Sequence, residues 1–409
     1  MVKKTLLLLI SIVCFVSVSC NPEFVWGLIR HGARSPMLGT AKNPAHSWKD
    51  GLMELTGSGM RQGYLLGVYL KEKYVGEGKL LGTEYDPAEI YVRATNTNRT
   101  IMAAQSILMG MYPSSPEKLS QDQEDAAVPD WIRDHLTPDV WTNLKLSPLP
   151  FGMNAFAVHA FAHEEDVYYT EFCPAAEMQR LNSYATDTNV FEIMEHYKEL
   201  KDTIITLMGL DPVAYRFPHF YPILEVIYAA KFDQRETVFT QAQLDEAEEM
   251  MNALAFHYYS FDMTAMVYRN AGVFQELIQV MADHSHKMHL VVGHELTLSS
   301  FLRAMAFDGF EGYFHYFPFS SNLFLEVDTG NSVTADGDFP DFPIKWIYNG
   351  EDITSKMGGC HGVADCHVAH FTTYMQEIVE GKGATDWVEF CAMEPVGPII
   401  RIEQEQQTE

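Results

Sequence analysis

The stretch "LIRHGARSPM" (Leu28 to Met37) brings Arg30, His31 and Arg34 close together, with Gly32 between them and Pro36 closing the run. It directly follows the apolar run "EFVWG". An arginine presents a fixed fork of donors that matches phosphate oxygens. A histidine held among arginines is biased toward its neutral form by like-charge repulsion, and a neutral imidazole nitrogen is a nucleophile. These residue types at this spacing suit attack on a bound phosphoryl group. An exposed basic turn is the bland alternative. It explains poorly why the cations follow a core strand directly.

Two more segments carry the same chemistry. In "YVRATNTNRTIMA", Arg93 ends a predicted strand and Arg99 begins a predicted helix. Arg93 is expected to complete a phosphate clamp, and Arg99 reads as a helix-start surface charge or packing residue. In "LVVGHELTLSS", Gly293-His294-Glu295 follows another apolar strand. His294 is a candidate donor to a phosphate oxygen, and Glu295 a candidate general acid for a leaving group. Alone, this dipeptide reads as well as a buried histidine and a glutamate favoured at the positive end of a helix.

The elements that must position these residues alternate. Strands are predicted at Glu23 to Ile29, Ala88 to Thr95, Lys287 to Glu295, Asn322 to Asp328 and Phe342 to Gly350, with a Gly-Asn turn region between the last two. The near-continuous apolar character of the first suits burial on both faces, as in a parallel sheet. Sheets of that kind bind ligands beyond the carboxyl ends of their strands. Met60, Tyr64, Leu65, Val68 and Tyr69 recur at helical spacing, as do Ile101, Ala104, Leu108 and Met111. The acidic stretch "SQDQEDAAVPD" marks the exit from the first sheet segment. The middle then shows helix signals and few strand signals. Ile193, Tyr197, Leu200, Ile204 and Leu207 form one stripe ending at Gly209, and Thr240-x-x-Gln243 is a capping box before Leu244, Ala247, Met251 and Leu254. The expected architecture is α/β: a mostly parallel sheet with helices on both faces, plus an inserted, mainly helical smaller domain. The core domain is expected at residues 21–115 and 284–409, and the insert at 116–283.

Composition narrows the function. The 409 residues are 47% hydrophobic and 20% charged, ordinary for a globular chain with a sizeable core. The formal net charge of −27 argues against a nucleic-acid partner, which needs a basic field. An anionic substrate then requires a local cationic site. Residues 1–20 read as a secretory signal peptide: Lys3 and Lys4, an apolar run from Leu6 to Val16, then small residues. That run falls short of the ~20 residues of a spanning helix, and no later segment has the length for one, so no membrane anchor is expected. Of six cysteines, Cys14 and Cys20 fall in this leader. Cys173, Cys360, Cys366 and Cys391 remain, which fits two disulfides in an exported chain. Closure of the short Cys360–Cys366 loop is the local option, but sequence allows three pairings. The sequon Asn98-Arg99-Thr100 lies beside the candidate site and is expected to stay unmodified.

Together these segments resemble the histidine acid phosphatase family, the two-domain branch of the histidine phosphatase superfamily that includes prostatic- and lysosomal-type acid phosphatases. The pattern Arg-His-Gly-x-Arg-x-Pro is matched by Arg30 to Pro36. "LTGSGMRQG" is similar to the family's Leu-Thr-x-x-Gly-x-x-Gln, "VRAT…RT" to the segment supplying a third phosphate arginine, and His294-Glu295 to its His-Asp dipeptide. The four cysteines also sit where the family carries its own. The resemblance implies that Arg30, Arg34, Arg93 and His294 bind the phosphate of a small-molecule monoester. It implies that His31 forms a phosphohistidine, with no metal or other cofactor, and that the disulfides are Cys173–Cys391 and Cys360–Cys366. A secreted or lysosomal location is implied too, and a homodimer is an assembly found in related phosphatases.

One departure matters. The family's proton donor is aspartate, and here Glu295 stands in its place. A side chain longer by one methylene moves the proton, and a shift of ~1 Å can cost on the order of 10²-fold in rate. An active phosphatase with a retuned leaving-group preference is the expectation. A weakly active or inactive homologue that binds phosphorylated ligands is the rival, and a phytase-like inositol phosphate phosphatase is a variant of the first. Other signals carry less. His284, His286 and His289 read as loop histidines, and the Cys/His-rich "CHGVADCHVAH" reads as a disulfide loop rather than a zinc site.

Overall fold

The computed structural model describes residues 22–38, 48–49, 51–115, 117–133, 135, 137–144, 146–169, 172–213, 215, 220–283, 285–305, 316–328 and 342–393. The expected signal peptide, His284 and the Gly-Asn turn region lie outside them.

All five expected strands form. The chain begins with β1 (Phe24–Arg30), buried along its whole length, then α1 (Gly57–Tyr74), β2 (Ile90–Ala94) and α2 (Asn98–Met111). A helical stretch comes next: α3 (Gln121–Ala126), α4 (Asp130–Arg133), α5 (Pro138–Leu144), α6 (Pro174–Thr186), α7 (Thr188–His196), α8 (Lys198–Met208), α9 (Tyr221–Phe232), α10 (Gln241–Tyr259) and α11 (Met263–Asp283). The chain then returns to β3 (Met288–Gly293), α12 (Glu295–Met305), β4 (Asn322–Val327), β5 (Ile344–Tyr348), β6 (Glu351–Asp352), α13 (Val368–Gly381) and α14 (Trp387–Ala392).

Among the described residues these strands make one six-stranded sheet, ordered β2-β3-β1-β4-β5-β6. Parallel pairing is confined to β2, β3 and β1, while β4, β5 and β6 add antiparallel. The sheet is therefore mixed rather than mostly parallel. The parallel strands are separated by helices that cross over a face. β5 and β6 need only a tight turn at Asn349-Gly350, both with positive φ, the conformation a two-residue hairpin demands.

Alternation along the strands sorts the two faces. Val25, Ile29, Ile90, Val92, Leu290 and Val292 pack with α1 and α2. Phe24, Trp26, Leu28 and Val291 pack on the other face with Phe274 and Leu277 of α11 and Phe301 of α12. α11 therefore helps to cover the sheet although it precedes β3. A separate core forms among α7 to α10 and takes in Leu296 of α12 and Tyr316. The expected long stripe is broken at Tyr197 into α7 and α8, and α8 ends on Gly209 at φ 65°. The Thr240 capping box is present. Disulfides join Cys173 to Cys391 and Cys360 to Cys366, the first tying α6 to α14 across 218 residues of sequence.

Candidate active site

Register places the chemistry. Arg30 lies opposite Gly293, and Ala94 opposite Val292. The His31 amide donates to the Gly293 carbonyl at 3.0 Å, and the Thr95 amide to Val292 at 3.0 Å. Three parallel strands thus end side by side, and the segments that leave them meet at one edge. Glu295 is the first residue of α12 and Arg99 the second of α2.

Gly32 lets this edge close. A Cβ there would stand 2.4 Å from the Gly59 carbonyl oxygen, and one on Gly59 would stand 2.1 Å from that of Ala33. The start of α1 therefore packs directly on the backbone between His31 and Arg34. Thr56 caps α1 through the Gly59 amide, and its own amide donates to the Ala33 carbonyl at 2.9 Å.

His31 is wholly buried. Its Nδ1 lies 2.7 Å from the Gly32 carbonyl, which can only accept, so Nδ1 carries the proton. Nε2 then bears a lone pair, and it has no hydrogen-bond partner. Burial, followed by the charges of Arg99 and Arg30, holds the imidazole well below its usual pKa and keeps it neutral.

The arginines are braced from behind. Arg30 donates to the Phe317 carbonyl and to the Tyr316 hydroxyl at 2.7 Å, and its guanidinium lies over the rings of Tyr316 and Phe319 at 4.7 and 4.5 Å. Arg34 donates to Ser35 O at 3.1 Å and to Glu225 Oε1 at 2.7 Å. Glu295 faces both: its Oε2 is 3.2 Å from Arg30 Nε and 3.8 Å from His31 Nε2, and its Oε1 is 3.7 Å from Arg34 Nη2. Burial would raise this carboxyl, but Arg30, then Arg34, hold it well below the usual carboxylate range. Arg30 Nε, His31 Nε2, Arg99 Nε and Glu295 Oε2 are all buried without a hydrogen bond, and their gathering at one edge makes this the candidate site.

Arg93 requires a correction. It occupies the strand position between Val92 and Ala94, so its side chain leaves by the opposite face from theirs. There it pairs with both Glu276 oxygens at 2.8 Å and with Asp166 Oδ1 at 2.7 Å, against the rings of Phe161 and Tyr168. Arg99 takes the place foreseen for it. Arg99 Nη2 lies 3.3 Å from His294 Nδ1, and burial, then Arg34, bring its guanidinium down to about 10. His294 packs edge-on to His31, with ring centroids 5.5 Å apart. Its Nδ1 faces an arginine, so Nε2 carries the proton and donates to Thr95 Oγ1 at 2.9 Å. In this arrangement the donor foreseen for a phosphate oxygen is spent on Thr95.

Sequence reasoning missed Glu225, Tyr316 and Phe319 as well as Arg99. For Glu225 a signal existed: it is the one acid in the apolar run "YPILEVIYAAKF" of α9. Elsewhere, His286 and His289 pack around Tyr91 rather than around a common point. Asn98 Nδ2 donates to Glu54 Oε1 at 2.9 Å.

Known proteins are similar to this chain in sequence and in fold. Mouse prostatic acid phosphatase is 30% identical over 210 residues, 50% of this chain and 47% of that protein. Bovine lysosomal acid phosphatase is 41% identical over 93 residues, 22% of this chain and 21% of its own. The matches thus span about half or less of these relatives' lengths. Among solved structures, the phytases of Citrobacter braakii and Hafnia alvei share the fold, with TM-scores of 0.57 and 0.58 at 13% and 12% identity, each over 88% of this chain and 98% of theirs. The family model described as "Histidine phosphatase superfamily (branch 2)" matches residues 23–333, from β1 through the helical stretch to beyond β4, and the chain belongs to that family.

Proposed function

We propose that this protein is an acid phosphatase that hydrolyses phosphate monoesters through a phosphohistidine on His31. The observation that carries the reading is the buried His31 Nε2, lone pair exposed by the Nδ1–Gly32 contact and set among Arg30, Arg34 and Arg99.

The substrate phosphoryl group enters among the three arginines, which bind its oxygens and neutralise charge in the transition state. Nε2 attacks phosphorus in line, the N–P bond forms, and the bond to the ester oxygen breaks. The Gly32 carbonyl holds the imidazolium proton that remains on Nδ1. Glu295 gives its proton to the departing oxygen. It is ionised while paired with Arg30 and Arg34; the arriving phosphate charge competes for those arginines and raises its proton affinity, so the carboxylate first takes up a proton from the entering monoester monoanion. In the second half, the Glu295 carboxylate takes a proton from water, water oxygen bonds to phosphorus, and the N–P bond breaks to restore His31. The relatives' names, prostatic and lysosomal acid phosphatase, support the same activity. The two disulfides and the N-terminal basic-apolar pattern support export to a secreted or lysosomal location. Light scattering tests for a homodimer.

The test is rapid quench with a radiolabelled phosphomonoester. Wild type should yield an acid-labile, base-stable phosphoprotein, and His31→Ala neither label nor turnover. Turnover surviving in His31→Ala would defeat the assignment. A phosphoryl binder would show tight phosphate retention with no sustained release.

A further inference from the structure

We propose that Glu225, carried by the inserted helix α9, is a positioning residue that sets how tightly the arginines hold phosphate and over what pH range Glu295 can deliver its proton. The inference rests on the phosphatase reading above.

α9 is buried along most of its length, and Glu225 is only 3% exposed. A carboxylate in such a helix needs a charged partner. It finds one 191 residues away in sequence: Arg34 Nη2, at 2.7 Å. The same nitrogen lies 3.7 Å from Glu295 Oε1, and Arg30 Nη2 lies 4.0 Å from Glu225 Oε1. Two carboxylates from different parts of the fold therefore divide one arginine pair. Glu225 approaches from the insert, and Glu295 from the end of β3 where the phosphoryl group is handled.

This geometry couples the two acids. Burial raises the Glu225 carboxyl against the pull of Arg34, and the charge of Glu295 raises it further. The other groups facing the pair are Arg30 from the end of β1, His31 and Arg34 from the segment after it, and Arg99 from α2. His294, the Tyr258 and Tyr259 hydroxyls from α10, Tyr221 and Tyr316 complete the surroundings, with Tyr259 donating to Glu295 Oε1 at 3.4 Å. Within this set, Glu225 and Glu295 are the two carboxylates. Loss of charge on one leaves the other alone against the arginines. The arginines then hold phosphate more tightly, and Glu295 gives up its proton more readily, so it is protonated only at lower pH.

Glu225→Gln removes the charge while keeping the shape and an oxygen that can accept from Arg34. Inorganic phosphate should inhibit it about tenfold more tightly than wild type. With an alkyl phosphate, a poor leaving group that needs the acid, the alkaline limb of kcat should move down by roughly one pH unit or more. With an aryl phosphate the loss in kcat should be smaller. Glu225→Asp keeps the charge but withdraws it from Arg34, and should shift both readings part way in the same direction; it serves alone if the Gln variant does not fold. An unchanged phosphate inhibition constant and an unchanged limb in a folded variant would overturn the proposal, as would weaker phosphate binding. His31→Ala run alongside separates the two levels. Turnover in that variant defeats the phosphatase reading, whereas a dead His31→Ala with an unmoved Glu225→Gln profile defeats only the role of Glu225.

Discussion

The Oε2 of Glu295 rests 3.2 Å from the Nε of Arg30, as a phosphate oxygen would. The side chain that stands where the family carries aspartate is long enough to reach into the arginines. In the proposed mechanism Glu295 competes with substrate for them, and substrate charge in turn restores the proton that the leaving group needs.

Substitution at Glu295 should separate binding from chemistry. Glu295→Gln should tighten inhibition by inorganic phosphate, since one competing charge is gone, while lowering kcat for alkyl phosphates by about 10²-fold or more. Aryl phosphates should suffer less. Glu295→Asp, which shortens the reach into the arginines, should relieve the competition and keep much of the turnover. Steady-state kinetics on the two substrate classes checks this, and equal losses on both would count against a proton-donor role.

Arg99 and Arg93 should fail in different ways. Arg99→Ala should cost about 10²–10³-fold in kcat with little change in thermal stability. Arg93→Ala strands the buried Asp166 carboxylate and should cost about 3–5 kcal/mol of stability, with near-normal kcat for the fraction that stays folded. Thermal melts and active-site-normalised kinetics on the two variants distinguish the roles.

Acid limbs should be displaced from the ordinary histidine range. His31 must be neutral to attack, and burial with Arg99 and Arg30 holds its pKa well below 6.5. It stays neutral at every pH above that lowered value, so kcat/KM should persist on the acid side of pH 6.5 and fall only well below it. Arg99→Met removes one of those charges, so the limb should move up in pH. A pH–kcat/KM profile of both proteins is the measurement.

Gly32 should tolerate no side chain. In Gly32→Ala the new Cβ collides with the Gly59 backbone, so the loop must move. A displacement of ~1 Å at His31 should cost on the order of 10²-fold in kcat, larger than its effect on the melting temperature would suggest.

The long disulfide should matter more than the short one. Cys173 and Cys391 tie α6 to α14 within a small core formed with Ala176, Ala265 and Met266. Replacing both by serine should cost about 2–4 kcal/mol, read by denaturant unfolding. The six-residue separation of Cys360 and Cys366 closes a much smaller loop and should cost less.

Much of the candidate site was legible in the sequence, and the reason is locality. Arg30 closes β1, and His31 and Arg34 follow it within a few residues, so knowing that the strand ends there places all three. The helical character of the segment between β2 and β3 was equally local, written in side-chain period and in the Thr240 cap. What the sequence left open depends on relations that no window along the chain contains. Arg93 and Arg99 differ by a few positions, but strand alternation turns the first to the face of Glu276 and Asp166, while the turn after β2 brings the second to His294. Glu225 reaches Arg34 only because α9, packed in the core with α10, brings it there, and Phe319 reaches Arg30 only because the segment before β4 folds back over it. The sequence determined the neighbourhood of the proposed nucleophile, His31, with Arg30 and Arg34, since covalent neighbours cannot drift apart. Tertiary packing decided which third arginine joins them and which carboxylates face them, since those partners are set by the docking of helices on a common core.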